Sequence, residues 1–481
     1  MRKNIVLGAL IAATMGGCAS QRERTLSSRS ERSDFLSPNQ VSTIAGPTGS
    51  NERADSSQLT QEATVRAASF KAAVSPSTSY SLEDFENLSL SNNPTIAELV
   101  ATTQKAAGFR TQVGLRANPT MGYNGTQIAD AGTDQHTFFI SQTIITADKR
   151  ELNRRVLNET LRAQLFQLEA QKYRVITDVR VKFFDALAAQ KRVELVREFQ
   201  SVVTKGVELA ELREQASEGS RLEVVQAKQQ LAEAELALEQ AEAAYIASWR
   251  ELSALAGCAD LEPSVLVGEL PSTAEVQDWA ALAESTILES PEYQVARARL
   301  SQSQANLQRQ NVQAVPNLDV NIASGVDNGT NSGLINIQVG APIPVFNKNQ
   351  GNIAAARAEL SRASREIERI EKSVNARLAA VSRDYNLSLA AVEKYQSRIL
   401  PNAKQGLELA EIAYKGGETS FIQVLIARRS FFDTNLQYVA AQALLAQSQS
   451  RIDGYVLSGG LDPIIDDSGD DSLRGLTFSQ Q

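Results

Sequence analysis

The sequence predicts a mainly α-helical protein in which long helical hairpins, internally duplicated, are combined with two short β-hairpins. Three observations support this fold class. Landmarks in the first half of the chain recur about 198 residues later. Long runs of strong helix formers lack Pro and Gly and space their apolar residues by three and four. Two shorter segments in each half alternate apolar and polar residues, as strands do. Together these patterns predict two copies of one unit.

The duplication is visible as paired landmarks at nearly constant offsets. Both copies of the unit have a proline that follows a helix-capping residue, a second proline before the strands, a short motif after the strands and a glycine in the helical hairpin. The pairs are Asn93-Pro94 with Ser290-Pro291, Asn118-Pro119 with Val315-Pro316, 143–149 with 342–348, and Gly219 with Gly417. We therefore expect a first repeat over 80–262 and a second over 263–458.

The N-terminus has the pattern of an export signal. Arg2 and Lys3 precede an apolar stretch over 5–14, which is too short to span a bilayer, and Met-Gly-Gly then leads to Cys18. Small residues before a Cys are typical of the lipobox of bacterial lipoproteins, so we predict cleavage after residue 17 and acylation, including palmitate, at Cys18. Ala19 favours the outer membrane. An ordinary secretory signal with an incidental Cys is the alternative. Residues 18–79 are then a flexible, lipid-anchored linker.

Composition disfavours an enzyme. The chain has 481 residues, a net charge of −8, one His, two Cys and three Met, so neither a His-based triad nor an HExxH zinc site is possible. No P-loop or dinucleotide-binding pattern occurs, and the acidic balance disfavours nucleic acid. We predict no catalytic residue, no cofactor and no metal site, and we interpret Cys258 as a small structural residue.

The body of the first repeat begins near Tyr80, and the segment 81–84 (Ser-Leu-Glu-Asp) is a helix-start signal. Long helical hairpins are predicted over 147–258 and 352–457. A run from Ala147 to Ala216 would extend about 100 Å as one helix, several times the width of a globular domain. The apolar seam steps by three and four, as in helices wound around one another. Turns are predicted at 217–220 and 415–418.

The β-hairpins are predicted over 117–146 and 315–346. In the second, Leu318, Val320 and Ile322 alternate with polar residues, and a loop rich in Asn, Asp and Gly leads to another alternating strand. The strand length suits a tilted membrane crossing, although two hairpins packed on a water-soluble core would show the same alternation. Four strands cannot close a barrel, and lipid does not tolerate an open edge. Membrane strands would therefore have to be pooled: two copies supply eight and three supply twelve.

Beyond the second repeat, residues 459–481 are acidic and poor in large apolar residues. We expect a disordered tail there.

The chain resembles the TolC-like outer-membrane efflux proteins over about 81–457. The resemblance is carried by Asn92-Asn93-Pro94, by 141–150, and by the segment Ala-Pro-Ile-Pro-Val-Phe-Asn-Lys-Asn-Gln-Gly-Asn-Ile at 341–353, whose wording is similar to the heavy-metal (CzcC-like) branch. The resemblance implies a homotrimer that pools its strands into one twelve-stranded β-barrel, and helices that continue as a periplasmic coiled-coil tube.

The resemblance also implies partners: a periplasmic adaptor (membrane fusion) protein, an inner-membrane pump of the resistance-nodulation-division or a similar type, and outer-membrane lipid. The helix tips at 213–221 and 414–420 would meet the adaptor, and acidic side chains would narrow the entrance. The implied adaptor-contact residues are Gly219, Ser220, Gly416 and Gly417, and the candidate gate residues are Glu218 and Glu418.

The leading functional hypothesis is a passive exit duct of a tripartite efflux system, anchored in the outer membrane. A duct for type I secretion of polypeptides is the alternative within the same family, and the sequence does not separate the two. A soluble periplasmic coiled-coil adaptor is a third hypothesis, which two hairpins and amphipathic strands disfavour.

Overall fold

The computed structural model describes residues 79–129 and 132–468, which all fall within one compact unit. The predicted signal peptide, Cys18 and most of the linker lie outside the described residues. None of the described helices is both long enough and apolar enough to cross a membrane. The first repeat consists of β1 (Ser79–Ser81), α1 (Leu82–Asn92), α2 (Pro94–Gly114), β2 (Thr120–Thr126), β3 (Gln135–Ile144), α3 (Lys149–Gln215) and α4 (Arg221–Leu255).

The second repeat has the same order of elements. It consists of β4 (Val265–Val267), α5 (Trp279–Glu289), α6 (Pro291–Val312), β5 (Leu318–Asp327), β6 (Ser332–Gly340), α7 (Gln350–Lys394), a π-helical turn (Tyr395–Ile399), α8 (Leu400–Lys415) and α9 (Phe421–Asp453). Strands β1 and β4 pair in parallel and link the starts of the two repeats. The duplication predicted from the landmarks is therefore visible in the fold.

Backbone geometry refines the alignment of the two repeats. Asp148 and Asn349 each precede a long helix with left-handed φ values of 51° and 60°, so these two residues are equivalent. The sequence pairing of 143–149 with 342–348 aligned Asp148 with Asn347, which lies two residues before its structural counterpart. The second repeat contains two additional residues in its Pro-Ile-Pro-Val-Phe segment, between the strand and the left-handed turn.

Helix α3 is the longest described element, with 67 residues, or about 100 Å at the usual rise per residue. It packs against α4 and α6 and also contacts α9. Its counterpart in the second repeat is interrupted by the π-helical turn just before Pro401. Proline has no N–H to donate, and its ring would clash with the carbonyl four residues earlier, so the turn widens there.

Two aromatic clusters anchor the hairpins where the short helices pack on them. In the first repeat, Phe85, Phe183 and Trp249 are almost fully buried, and the Trp249 indole donates to the Leu261 carbonyl at 2.9 Å. In the second repeat, Tyr385 packs against Trp279 with ring centroids 5.6 Å apart. Each cluster holds short helices against a long hairpin.

The segment 459–468, called the strap below, corrects the expectation that a disordered tail begins at Gly459. The Gly459 and Gly460 amides donate to Asp178 Oδ2 at 2.9 and 2.7 Å. Farther along, Asp466 Oδ2 accepts from Lys105 at 2.5 Å, and Asp467 pairs with Arg299. The acidic residues that suggested a solvated end meet basic partners from both repeats, which only the folded chain brings within reach.

The four longer strands form one antiparallel sheet in the order β2-β3-β5-β6. The two hairpins join through β3 and β5, where Ile140 faces Ile322 and Ser141 faces Asn321. Strands β2 and β6 are the edges, and neither edge has a further strand among the described residues. A strand edge presents unpaired backbone N–H and C=O groups, so these two edges need a partner.

Candidate functional site: the helical tips and the sheet

The turns that end the two long hairpins have the same backbone hydrogen bonds. The Glu218 amide donates to the Arg213 carbonyl at 2.9 Å, and the Glu418 amide donates to the Ala413 carbonyl at 2.8 Å. These six-residue loops satisfy the last carbonyls of α3 and α8, as in a Schellman motif. They place Glu218 and Glu418 at equivalent positions, offset by 200 residues.

The same geometry changes which small residues correspond. Ser217 and Gly417 hold the left-handed position, with φ values of 58° and 76°. The pairing of Gly219 with Gly417 in the sequence is therefore wrong. Position 219 favours glycine because of close packing and not because of its φ: a Cβ there would lie 3.0 Å from the Arg213 Cβ.

The remaining predicted contact residues also differ in role. The Ser220 hydroxyl caps α4 by accepting from the Glu223 amide at 3.3 Å. Gly416 has an ordinary φ of −76°, so its position does not require glycine. Both Ser220 and Gly416 are exposed at the tips.

Glu218 and Glu418 are both exposed. In the part of the chain that the structure describes, neither carboxylate has a hydrogen-bond or ion-pair partner.

An apolar cluster packs the two tips side by side. Val207, Val224, Phe421 and Leu425 are buried there, and Tyr414 packs against them. The tips of the two hairpins are therefore packed against each other. The sequence predicts two separate turns and does not predict this contact.

Arg213 is a tip residue whose role sequence reasoning missed. Its guanidinium hydrogen-bonds the Tyr414 hydroxyl, lies 5.3 Å from the centre of that ring, and donates to the Glu218 carbonyl at 3.0 Å. It thus links the first turn to the second hairpin. Arg213 lies in the predicted tip range, but its partner is 201 residues away, so no local signal identifies it.

Above the tips, a groove of about 650 Å³ runs between α4 and α9. The side-chain oxygens of Gln226 and Gln230 are buried at its wall and have no hydrogen-bond partner among the residues that the structure describes. The Arg429 guanidinium also lines it and pairs with Glu233. Hydrogen bonds from Gln229 and Arg429 lower the pKa of Glu233. The groove therefore presents amide and charged side chains.

The sheet separates apolar and polar residues onto its two faces. One face carries Met121, Ile140, Ile322 and Ile337 in a single row across all four strands. These four side chains are 44–78% exposed, and no described helix covers them. The neighbouring row on the other face carries Ser141, Asn321 and Gln338. One apolar and one polar surface suit a wall between lipid and water.

Buried cations join this sheet to the helices. The Lys149 ammonium, 3% exposed, donates to the Val315 carbonyl and to Asn317 Oδ1. Arg309, 2% exposed, donates to Asn153 Oδ1. Burial lowers the pKa of Arg309 to about 10, and burial together with the nearby Arg309 lowers that of Lys149. Such a junction holds the strands at a defined angle to α3 and α6.

The described part of the chain offers few groups that could bind a metal ion. Groups of three or more His, Cys, Asp or Glu that could hold a metal ion are absent from it. Cys258 is a half-buried free thiol there. His136 lies at the end of the sheet far from the helices, hydrogen-bonded to Asp134 at 2.6 Å.

Comparisons with known proteins agree with this geometry. Residues 282–456 match the model of the family described as Outer membrane efflux protein. The chain is 27% identical over 271 residues to the cobalt-zinc-cadmium resistance protein CzcC of Cupriavidus metallidurans, covering 56% of this chain and 65% of that protein. It is 25% identical over 321 residues to the pyoverdine export outer membrane protein OpmQ of Pseudomonas putida, covering 63% and 65%.

The matched region thus spans about two thirds of the length of each of these two curated relatives. Among solved structures, the fold is similar to the outer membrane protein VceC of Vibrio cholerae, with a TM-score of 0.62 at 18% identity, covering 78% of this chain and 96% of that one. At this identity the likeness concerns the fold. The fold class and the resemblance predicted from the sequence are confirmed.

Proposed function

We propose that this chain, which carries an outer membrane efflux protein domain over 282–456, is the passive outer-membrane exit duct of a tripartite efflux system. The observation that carries the proposal is one sheet with an apolar and a polar face, attached to helices that reach about 100 Å away. A duct of this design conducts and performs no reaction. Energy is supplied by a partner pump.

The unpaired edges of the described sheet call for more than one copy of the chain, and the family resemblance favours three copies. Four strands per chain leave β2 and β6 open, which a hydrocarbon environment does not tolerate. We propose a homotrimer in which β6 of one copy pairs with β2 of the next, so that twelve strands close a barrel. The helical hairpins then line a periplasmic tube.

The tips are the proposed contact with a periplasmic adaptor. Gly219, Ser220, Gly416 and Gly417 give a partner close access to the backbone, and the groove between α4 and α9 presents hydrogen-bonding groups directly above them. Glu218 and Glu418 are the proposed entrance gate, and adaptor docking would dilate this end. Acylation of Cys18 would attach the N-terminus to the outer membrane.

The similarity to CzcC favours metal cations as cargo. The similarity to a pyoverdine exporter shows how much cargo varies among the relatives. One His and three Met cannot build a relay for soft metals. Choice of cargo is therefore assigned to the pump.

Crosslinking in cells followed by purification of this chain tests the assignment. A resistance-type pump and an adaptor in the crosslinked complex, with the chain in the outer-membrane fraction, are expected. Recovery with an ATP-driven exporter and its polypeptide cargo would instead identify a secretion duct. Recovery in the soluble periplasm would contradict both.

The gate is tested by single-channel conductance in planar bilayers. Glu218→Gln combined with Glu418→Gln is expected to raise conductance several-fold, because a ring of exposed carboxylates that holds counter-ions at a constriction is removed. Glu235→Gln is the matched control, since it neutralises an exposed carboxylate on α4 away from the tips. Equal conductance of the double variant and the parent would remove both glutamates as gate residues.

A further inference from the structure

The segment between β6 and α7 exposes apolar side chains that the proposed barrel does not use. Ile343, Val345 and Phe346 are 83%, 62% and 92% exposed. The prolines at 342 and 344 restrict the backbone, and the Val345 amide donates to the Ile343 carbonyl at 2.8 Å, which makes a tight turn at Pro344. It is the most exposed apolar run next to the sheet on its helical side.

The segment is held in place at both ends. Before it, β6 pairs with β5 as far as Gly340. After it, Asn349 is buried and donates to the Gln310 carbonyl and to its side-chain oxygen at 2.8 and 2.9 Å. The Asn349 backbone amide also donates to Asn347 Oδ1 at 3.0 Å, a hydrogen bond within the turn itself. An apolar segment fixed in this way is presented outward before any partner arrives.

Its apolar side chains continue the apolar face of the sheet. Ile335, Ile337 and Val339 lie on that face along β6, and the exposed Ile343 comes three residues after Gly340, the last paired residue. The apolar surface therefore extends past the last paired residue toward the helices. Whatever covers the face of the strands also reaches this segment.

Charge favours a lipid headgroup region at this level. Lys348 is exposed two residues after Phe346, and residues 341–358 contain Lys348 and Arg357 but no Asp or Glu. Lysine beside apolar and aromatic side chains is the pattern of segments that lie in a membrane interface, where the ammonium meets phosphates.

A neighbouring copy is the other candidate occupant, and the first repeat shows how little it would cover. Ile144, which like Val345 lies four residues before the left-handed turn, already has its neighbouring strand β5 within the same chain, where it pairs with Leu318. Even so, Ile144 is 48% exposed. A second copy seated on β6 in the same manner would leave the equivalent side chain uncovered.

We infer that Ile343, Val345 and Phe346 form a membrane-interface anchor that inserts among phospholipids of the inner leaflet, below the proposed barrel. The inference rests on the proposed function, because it takes the apolar face of the sheet to contact lipid. The first repeat lacks the two additional residues and the aromatic ring, so each trimer has three such anchors, all in second repeats.

Tryptophan quenching by brominated phospholipids tests the anchor in the full chain reconstituted into vesicles. Phe346→Trp places a reporter at a position open enough to accept it, and Ile337→Trp marks the middle of the apolar face. The unchanged chain supplies the background from Trp249 and Trp279, which lie on helices. We expect shallow bromines to quench the reporter at 346 at least two-fold more than this background, and deep bromines to quench the reporter at 337.

The remaining outcomes separate the two proposals. If only the reporter at 337 is quenched, the anchor is wrong: a blue-shifted, unquenched reporter at 346 identifies a neighbouring copy as the occupant, and a red-shifted one identifies water. If neither reporter is quenched, the membrane role of the sheet itself fails. Lys348→Gln should weaken binding to vesicles that contain anionic phospholipid and leave quenching in neutral vesicles unchanged. Equal binding of the parent and the variant to the anionic vesicles would overturn the charge contribution.

Discussion

The two long hairpins share one plan but differ in how firmly they are held. Between residues 200 and 215, α3 buries Val203, Gly206, Val207 and Ala210. The equivalent helix α8 buries no residue, and it follows a π-helical turn. Duplication thus preserved the backbone plan, while the second copy lost packing inside the chain. A segment of this kind has its apolar positions available to other copies or partners.

The aromatic clusters show the same imbalance and support the largest predicted effect. The cluster around Trp249 contains sixteen buried residues and that around Tyr385 eight. Trp249→Ala is expected to lower the free energy of unfolding by about 3–5 kcal/mol because it leaves a large cavity. Tyr385→Ala is expected to cost less. Denaturant unfolding in detergent measures both.

Tyr385→Phe is the control for that comparison. It keeps the ring and removes only the hydroxyl that donates to the Glu275 carbonyl at 2.6 Å, at an expected cost of about 1 kcal/mol. A larger loss for Tyr385→Ala than for Trp249→Ala would show that the second hairpin is not the more loosely held one.

The left-handed positions at the tips allow a pair of opposite substitutions. Ser217→Gly should stabilise the first turn, and Gly417→Ala should destabilise the second, each by about 1 kcal/mol, because only glycine adopts positive φ without steric cost. Amide hydrogen exchange at 213–220 and 413–420 measures the local effect.

Gly416→Ala is the matched control, since its φ is −76° and the nearest atom to an added Cβ is 3.6 Å away. Loss of protection in this variant as large as in Gly417→Ala would mean that the turn is sensitive to size and not to backbone conformation.

The strap provides the smallest expected effect and tests what joins the two repeats. Hydrogen bonds from Lys105 and then Ser468 lower the pKa of Asp466 from 3.8 to about 2. The folded value lies below the unfolded one, so this carboxylate stabilises the strap above about pH 4 and the contribution is lost as pH falls toward 2. The pair is half exposed, so we expect a modest change.

Hydrogen exchange of 459–468 between pH 5 and 2, in the parent and in Lys105→Met, checks this pH dependence. The parent should lose protection of the strap over that range, and the variant should lose less because its Asp466 has no cationic partner. Burial raises the pKa of Asp178, which also holds the strap. Its contribution has the opposite sign, and it cancels when parent and variant are compared at one pH. Identical profiles would exclude the Lys105 pair as the acid-sensitive contact.

Much of this protein follows from the sequence because the signals are local. Pro-free and Gly-free runs with spacings of three and four define α3 and α4, and alternation defines β5 and β6, since periodicity alone states which face of an element is apolar. The motif at 341–353 carries the resemblance to the outer-membrane efflux proteins. Glu218 and Glu418 are found at equivalent tips because both follow a helix end and a turn.

The tertiary structure decided what depends on residues far apart in the chain. Arg213 meets Tyr414, Asp466 meets Lys105, and Ser217 rather than Gly219 is the counterpart of Gly417. No periodicity encodes such pairs, because they depend on how two hairpins of equal length settle side by side. The sequence determined the elements and their repetition; packing between the repeats decided which side chains join them.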